Sequence, residues 1–222
     1  MYVRLDNDIW KIRRLVVGEL MVNCYVVIHQ GSNAAIVVDP GGDVPAILEF
    51  LKSQKLQLTA IVNTHCHGDH VAGNDELRAA TGAPVWIGYK DAEALTDPTL
   101  NMSAEYGLPV SCRPADRLLH EGDFVSIGDG ALKVLETPGH TIGSISLAGD
   151  GFVLSGDLLF AGSVGRTDFY GGNFDVLIKS IHDKLYPLGE DCIVLPGHEN
   201  LTTILKEKQS NPFLRYGNRR GW

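Results

Sequence analysis

Thr64-His65-Cys66-His67-Gly68-Asp69-His70 places three histidines and an aspartate within six residues, directly after the apolar run 60–62. Imidazole and carboxylate together suit zinc, iron or manganese, so this density points to a metal ion. Alternate residues of an extended segment share a side, which lets His65 and His67 grip one ion while Cys66 points away. Gly68 has no Cβ, so the chain is expected to turn there and present Asp69 and His70 toward a neighbouring ion.

Three further ligand candidates lie outward of this string, each at the end of an apolar run and beside small residues. His140 ends Thr137-Pro138-Gly139-His140 after the run 132–135, Asp157 ends Leu154-Ser155-Gly156-Asp157, and His198 ends Leu195-Pro196-Gly197-His198. Taken singly, a histidine after Pro-Gly reads as a turn residue and an aspartate after Ser-Gly as a turn or cap. Together they read differently, because five of the chain's eight histidines fall in these settings. Four strand ends are then expected to converge on one sheet edge, where open α/β architectures place their sites. His29, His120 and His182 have no companions at ligand spacing and are assigned to surface or core.

The rest of the chain supports a mixed α/β fold. Runs 24–28, 35–38, 60–62, 132–135, 152–154 and 193–195 have the length and branched-residue content of buried strands. Between them, Val44, Ile47, Leu48 and Leu51 fall at helical spacing, with Asp43 placed as a cap. Phe174, Leu177, Ile178 and Ile181 repeat the pattern behind Asn173, and residues 201–209 offer a third helix. Such interleaving implies sheets covered by helices in layers, and nothing in the 222 residues marks a linker, so residues 1–222 read as one domain. A net charge of −8 argues against a nucleic-acid partner. No apolar run is long enough to cross a membrane, and the N-terminal residues carry too many charges for a secretory signal. The four cysteines form no CxxC pair. The expectation is therefore a cytoplasmic protein.

The string His65 to His70, with Asp39-Pro40-Gly41-Gly42 before it and His140, Asp157 and His198 after it, resembles the metallo-β-lactamase superfamily over nearly the whole chain. The resemblance implies an αββα sandwich with the site at one edge of its two sheets. It assigns one ion to His65, His67 and His140 and a second to Asp69, His70 and His198, with Asp157 bridging both. Asp69 and Asp157 are then the carboxylates at the reacting centre. Asp39 matches a family aspartate that supports the site from behind, as ligating imidazoles require. Two divalent cations about 3.5 to 4 Å apart can share a hydroxide, lower its pKa toward neutrality and stabilise an oxyanion. Zinc is the first choice of ion, with iron and manganese left open by the same ligands. There is no Gly-x-Ser-x-Gly elbow, and no side-chain nucleophile is needed.

Finer resemblance points to short bacterial glyoxalase II-like hydrolases, through Gly197-His198-Glu199 and Asn211-Pro212-Phe213-Leu214. The implied substrate is a small anionic thioester of hydroxyacylglutathione type. In Gly165-Arg166-Thr167-Asp168-Phe169-Tyr170, Arg166 takes the place of a glutathione-contacting lysine, and Phe169 or Tyr170 that of an aromatic contact. Tyr170 and Arg166 are the substrate-binding candidates, and a loop-fixing pair between Arg166 and Asp168 is the competing role. Glyoxalase II proper continues into a helical domain with further basic contacts, whereas here Arg215, Arg219 and Arg220 are the basic residues left beyond residue 214. The alternatives within the fold are a mononuclear iron persulfide dioxygenase and a lactonase or β-lactamase. Asp157 stands where the main class of zinc β-lactamases has a cysteine, and His70 where they have no histidine.

Overall fold

The computed structural model describes residues 4–216, with side chains from residue 5 through residue 214. A first sheet runs in chain order through β1 (Arg4–Asp6), β2 (Trp10–Val17), β3 (Val22–His29), β4 (Ala34–Val38), β5 (Gln57–Asn63), β6 (Val85–Gly88) and β7 (Arg117–Leu119). Its first four strands are antiparallel and its last four parallel. The second sheet contains β8 (Phe124–Ile127), β9 (Gly130–Glu136), β10 (Ile145–Gly149) and β11 (Phe152–Gly156). A hairpin of β12 (Leu159–Phe160) and β13 (Ser163–Val164) follows, and then β14 (Ile193–Pro196) and β15 (Thr202–Thr203) complete that sheet in the order β15-β14-β11-β10-β9-β8.

Period-two side chains explain the layers. In β3, Tyr25 and Val27 face inward against Leu132, Leu147 and Phe152 of the second sheet, whereas Cys24, Val26 and Ile28 face outward. Both faces are covered, so all eight β3 residues are buried. Helix α1 (Val44–Ser53) lays Val44, Ile47 and Leu51 on the outer face of the first sheet. Beside it stand the short α2 (Gly68–Val71) and α3 (Asn74–Thr81). On the other side, α4 (Phe174–Ser180) and α5 (Ile204–Ser210) cover the second sheet through Leu177, Ile178 and Ile204, with α6 (Pro212–Tyr216) behind them. The result is the expected αββα sandwich. Fully buried branched side chains such as Ile36 fasten the inner layer, and truncating one to alanine costs about 2–5 kcal/mol.

Several local expectations need correction. Asp43 does stand at the start of α1, but in a left-handed conformation and without a capping bond. Its carboxylate accepts instead from the Gly18 N–H at 2.9 Å, tying the β2–β3 turn to the helix. Asn173 does cap α4, through the Val176 N–H. The third helix starts at Ile204, because Thr202 and Thr203 extend along β14 before Thr203 caps α5. No helix among the described residues is long and apolar enough to cross a membrane. Arg219 and Arg220, and the side chain of Arg215, lie outside the described residues.

Candidate metal centre

The convergence of strand ends is real, but it draws on both sheets. His65 and His67 follow β5 of the first sheet, whereas His140, Asp157 and His198 follow β9, β11 and β14 of the second. The site therefore sits across the open edge of the sandwich. Asp69 and His70 come from α2, which begins at Gly68 without a left-handed turn. Glycine is required there for a different reason, since a Cβ would come within 2.5 Å of the Ser103 Cβ.

Three ring nitrogens meet on one side. His65 Nε2 lies 3.1 Å from His67 Nδ1 and 3.2 Å from His140 Nε2, and the last two are 2.9 Å apart. A tetrahedral ion bonded to nitrogen at about 2.0–2.1 Å would hold its ligands about 3.3 Å from one another, so the spacing fits such an ion. Burial and the neighbouring rings push the His65 pKa well below the ordinary histidine range and that of His67 down to about 3. Burial lowers His140 as well, against the pull of Asp157. Neutral rings offer lone pairs, which is the state an ion needs. The ring of His140 is oriented by Nδ1, which lies 2.8 Å from the Arg166 carbonyl oxygen and donates to it when Nε2 is the free nitrogen.

The second group mixes charge types. His70 Nε2 is 3.3 Å from His198 Nε2 and 3.7 Å from Asp69 Oδ2, and His198 Nε2 is 3.2 Å from that same oxygen. Burial opposes a charge on His70, but Asp157, Asp69 and Asp39 outweigh it and raise the pKa. For His198 the same contest ends with Asp69 and Asp157 raising it. Asp69 is held below the usual carboxylate range by His70 and His198 despite its burial.

Asp157 stands between the groups. Its carboxylate is 3.6 Å from His140 Nε2, 3.4 Å from His70 Nε2 and 3.5 Å from His198 Nε2. Burial disfavours its charge, yet these rings hold it ionised well below the usual range. Its buried Oδ1 has no hydrogen-bond partner among the described residues. The His70 ring faces this oxygen at 3.4 Å without hydrogen-bond geometry, and cations on either side would satisfy it more fully. Gly197 is fixed by the same crowding, because a Cβ there would collide with Asp157 Oδ1.

Asp39 is wired as a support. Its Oδ2 lies 3.0 Å from His70 Nδ1, and its two oxygens accept from the Thr64 N–H at 2.7 Å and the Thr64 hydroxyl at 2.6 Å. One carboxylate thus orients a ring of the second group and the residue preceding His65. The His198 loop is secured from the first sheet by Asn23, whose N–H donates to the Gly197 carbonyl at 2.7 Å, and by the Tyr25 hydroxyl on the Pro196 carbonyl at 2.8 Å.

Asp91 escaped sequence reasoning. It is 1% exposed, in a helical turn after β6, and accepts from the Cys66 N–H at 3.0 Å, the Thr141 hydroxyl at 2.7 Å and the Gly143 N–H at 2.7 Å. It pins the His65–His67 segment to the His140 segment across the sheets. Burial raises its pKa, with these donors opposing. Tyr89-Lys90-Asp91 carries no motif that would have revealed it. Cys66 is buried away from the cleft, as expected, and burial lifts its thiol pKa, which disarms it as a nucleophile.

Substrate candidates divide. Arg166 lines the cleft, but its guanidinium forms a two-pronged pair with Asp168, at 2.9 and 3.0 Å, so the loop-fixing role is realised. Of the two aromatic candidates, Phe169 enters the cleft, its ring 4.8 Å from that of His67 and 5.1 Å from that of His140. Tyr170 does not. It is 64% exposed and borders a small depression with Lys90, Asp91 and Gly171 outside the cleft, because the chain turns at Phe169 and sends the next side chain the other way. His29, His120 and His182 pack on Trp10, Tyr89 and Tyr186, away from the site.

A two-part histidine and aspartate cluster at the open edge of an αββα sandwich defines a metal-binding hydrolase. The chain belongs to the Metallo-beta-lactamase superfamily, whose sequence description matches residues 17–198. It is 40% identical over 207 residues to the probable metallo-hydrolase YqgX of Bacillus subtilis, covering 92% of this chain and 97% of that one. The hydroxyacylglutathione hydrolase GloC of Haemophilus influenzae is 35% identical over 201 residues, covering 86% and 92%. Among solved structures, the BLEG-1 B3 metallo-beta-lactamase superposes with a TM-score of 0.87 at 40% identity, covering 91% of this chain and 99% of that one. TTHA1623 in a di-iron-bound form superposes at 0.81 with 32% identity, covering 90% and 99%.

Proposed function

We propose that the chain is a binuclear metallo-hydrolase that cleaves small anionic acyl thioesters of hydroxyacylglutathione type. In this reading His65, His67 and His140 hold one divalent ion, Asp69, His70 and His198 hold the other, and Asp157 serves both. Zinc is the ion we favour, since the nitrogen and oxygen donors suit it, while the di-iron form of TTHA1623 keeps iron in contention. When bound, the ions supply Lewis acidity and a water acidic enough to act near neutral pH. The observation that carries the reading is Asp157, a buried ionised carboxylate lodged between two groups of ring nitrogens, one oxygen of which faces the His70 ring at 3.4 Å and has no hydrogen-bond partner among the described residues.

The chain's own contributions are positional. Asp39 and the Arg166 carbonyl fix ring orientations, Asp91 fixes the spacing of the His67 and His140 segments, and Phe169 shields the buried rings from water on the cleft side. Arg166 is the anchor for an anionic end of the substrate, with its Asp168 pair holding it in place. Thioester chemistry is supported by the likeness to GloC, and the four buried cysteines, none in a disulfide, fit a reducing cytoplasm. The second reading is β-lactam hydrolysis, supported by the likeness to BLEG-1. Zinc-loaded protein assayed without oxygen should release thiol from S-lactoylglutathione at neutral pH. Turnover of a β-lactam with no thiol release from any acyl thioester would overturn the first reading in favour of the second.

A further inference from the structure

Beside Asp69 the cleft opens into a second recess of about 230 Å³, and the two cavities share Leu20, Asp69 and Tyr106. We propose that this recess is an acyl-group subsite selective for an uncharged alkyl or aryl arm. The proposal rests on the thioester reading and deepens it by naming the class of acyl group.

The walls carry the argument. Leu20, Ala72, Leu108 and Val110 line the recess, and Gly68 with Ser103 lies beneath. Ser103 is the one hydroxyl from the interior, and it is already committed: it donates to Asn101 Oδ1 at 2.6 Å and accepts from the Val110 N–H at 2.8 Å. An arm seated here therefore meets no free hydroxyl from the interior, and the Tyr106 phenol at the rim is engaged with Arg166. Leu20, Tyr106 and Leu108 are 47%, 53% and 54% exposed, three large apolar side chains gathered around one mouth. Isolated exposed apolar residues are ordinary, but a cluster rimming a recess marks a surface that a ligand covers. The size is suited to a ring, since an apolar cavity of about 150 Å³ admits benzene. Glu19 at the rim would repel an acyl group bearing its own carboxylate.

The main cleft differs in kind, and Tyr106, shared by the two cavities, lies beside its Arg166 guanidinium. There Arg166 stacks 5.6 Å from the centre of Phe169, whose ring packs on His67 and His140. A thioester lying along the cleft would place its anionic thiol portion toward Arg166 and its acyl arm in the recess. Water oxygen then bonds to the carbonyl carbon, the carbon–sulfur bond breaks, the thiol leaves with a proton, and the acid product sheds the other at neutral pH.

The test separates the subsite from the reaction. Binding of S-benzylglutathione and S-methylglutathione, which cannot be hydrolysed, is measured by calorimetry on the metal-loaded protein. The benzyl probe should bind at least about tenfold more tightly, given the apolar area it buries. Ala72 follows α2 with helical backbone angles that phenylalanine also adopts, so Ala72→Phe fills the recess and should bring the ratio close to one. In parallel, kcat/KM for benzoyl- over acetylglutathione should fall in the same variant. A binding ratio near one in the unmodified protein, no binding of either probe, or a ratio that Ala72→Phe leaves unchanged would overturn the subsite. An intact ratio with no thiol released from any acylglutathione would keep the subsite and remove the thioester reading.

Discussion

His65, His67 and His140 are buried almost completely and present neutral ring nitrogens, whereas Asp69 and His198 of the neighbouring group keep 18% and 24% of their side-chain surface open to the cleft. The first group is made of nitrogen alone, and segments from both sheets are pinned together behind it by Asp91. The second includes a carboxylate, and its two rings are drawn toward the protonated state by the acids around them. Burial without charge favours a tight, closed ion site, while charge with partial exposure favours one that ions and protons exchange through. The two halves should therefore hold metal unequally, the three-histidine half more firmly.

Asp157 belongs to both halves, so its loss should have the largest effect. We predict that Asp157→Ala lowers metal content from two ions per chain to fewer than one and kcat/KM by on the order of 10³-fold, measured by elemental analysis and thioester turnover. His198→Ala should instead leave one tightly held ion. Equal metal loss in the two variants would erase the distinction between the halves.

The support residues come next. Asp39→Asn keeps the shape of a carboxylate that orients His70 and Thr64 but removes its charge, and should weaken metal binding or activity by about 10- to 100-fold. The loss should fall on the second ion, which competition with a chelator would reveal as an early, enlarged release phase.

Protons sharpen the contrast further. A ring whose pKa is lowered stays deprotonated as pH falls, so His67, with its pKa near 3, keeps its lone pair for an ion in mild acid. Rings whose pKa is raised, His70 and His198, take up protons at higher pH and release metal there. Titration downward from mildly alkaline pH to about 5 should thus remove roughly one ion, beginning above neutrality where His70 takes up its proton, while the other remains. Simultaneous loss of both ions would count against the assignment of the two environments.

The smallest effect is expected at the rim. Arg166→Ala should raise KM for an anionic thioester by a few-fold at full metal content, because the guanidinium is exposed and already paired with Asp168. His120→Ala, a ring stacked on Tyr89 away from the cleft, should leave metal content unchanged. An unaltered kcat/KM in Arg166→Ala would remove its substrate role.

The ligand candidates were legible because their signals are local. Spacing along an extended segment put His65 and His67 on one side, and the small residues before His140, Asp157 and His198 marked ends of buried strands. The layered fold was legible too, since period-two and helical spacing survive in the strand and helix cores. Harder cases involved loops. Asp43 looked like a cap and became a partner for Gly18, and Tyr170 was as good an aromatic as Phe169 until the turn between them sent only one ring inward.

By itself the sequence determined which donor atoms are present and which neighbours share a face, because covalent spacing and backbone period constrain both. Tertiary structure alone decided that the candidate ligand segments come from two sheets, that Asp91 fastens them, that Asp157 sits among three rings with one oxygen lacking a hydrogen bond, and that an apolar recess opens beside Asp69. Those features depend on contacts between residues tens of positions apart, where direction is set by how loops pack and leaves no periodic trace in the chain.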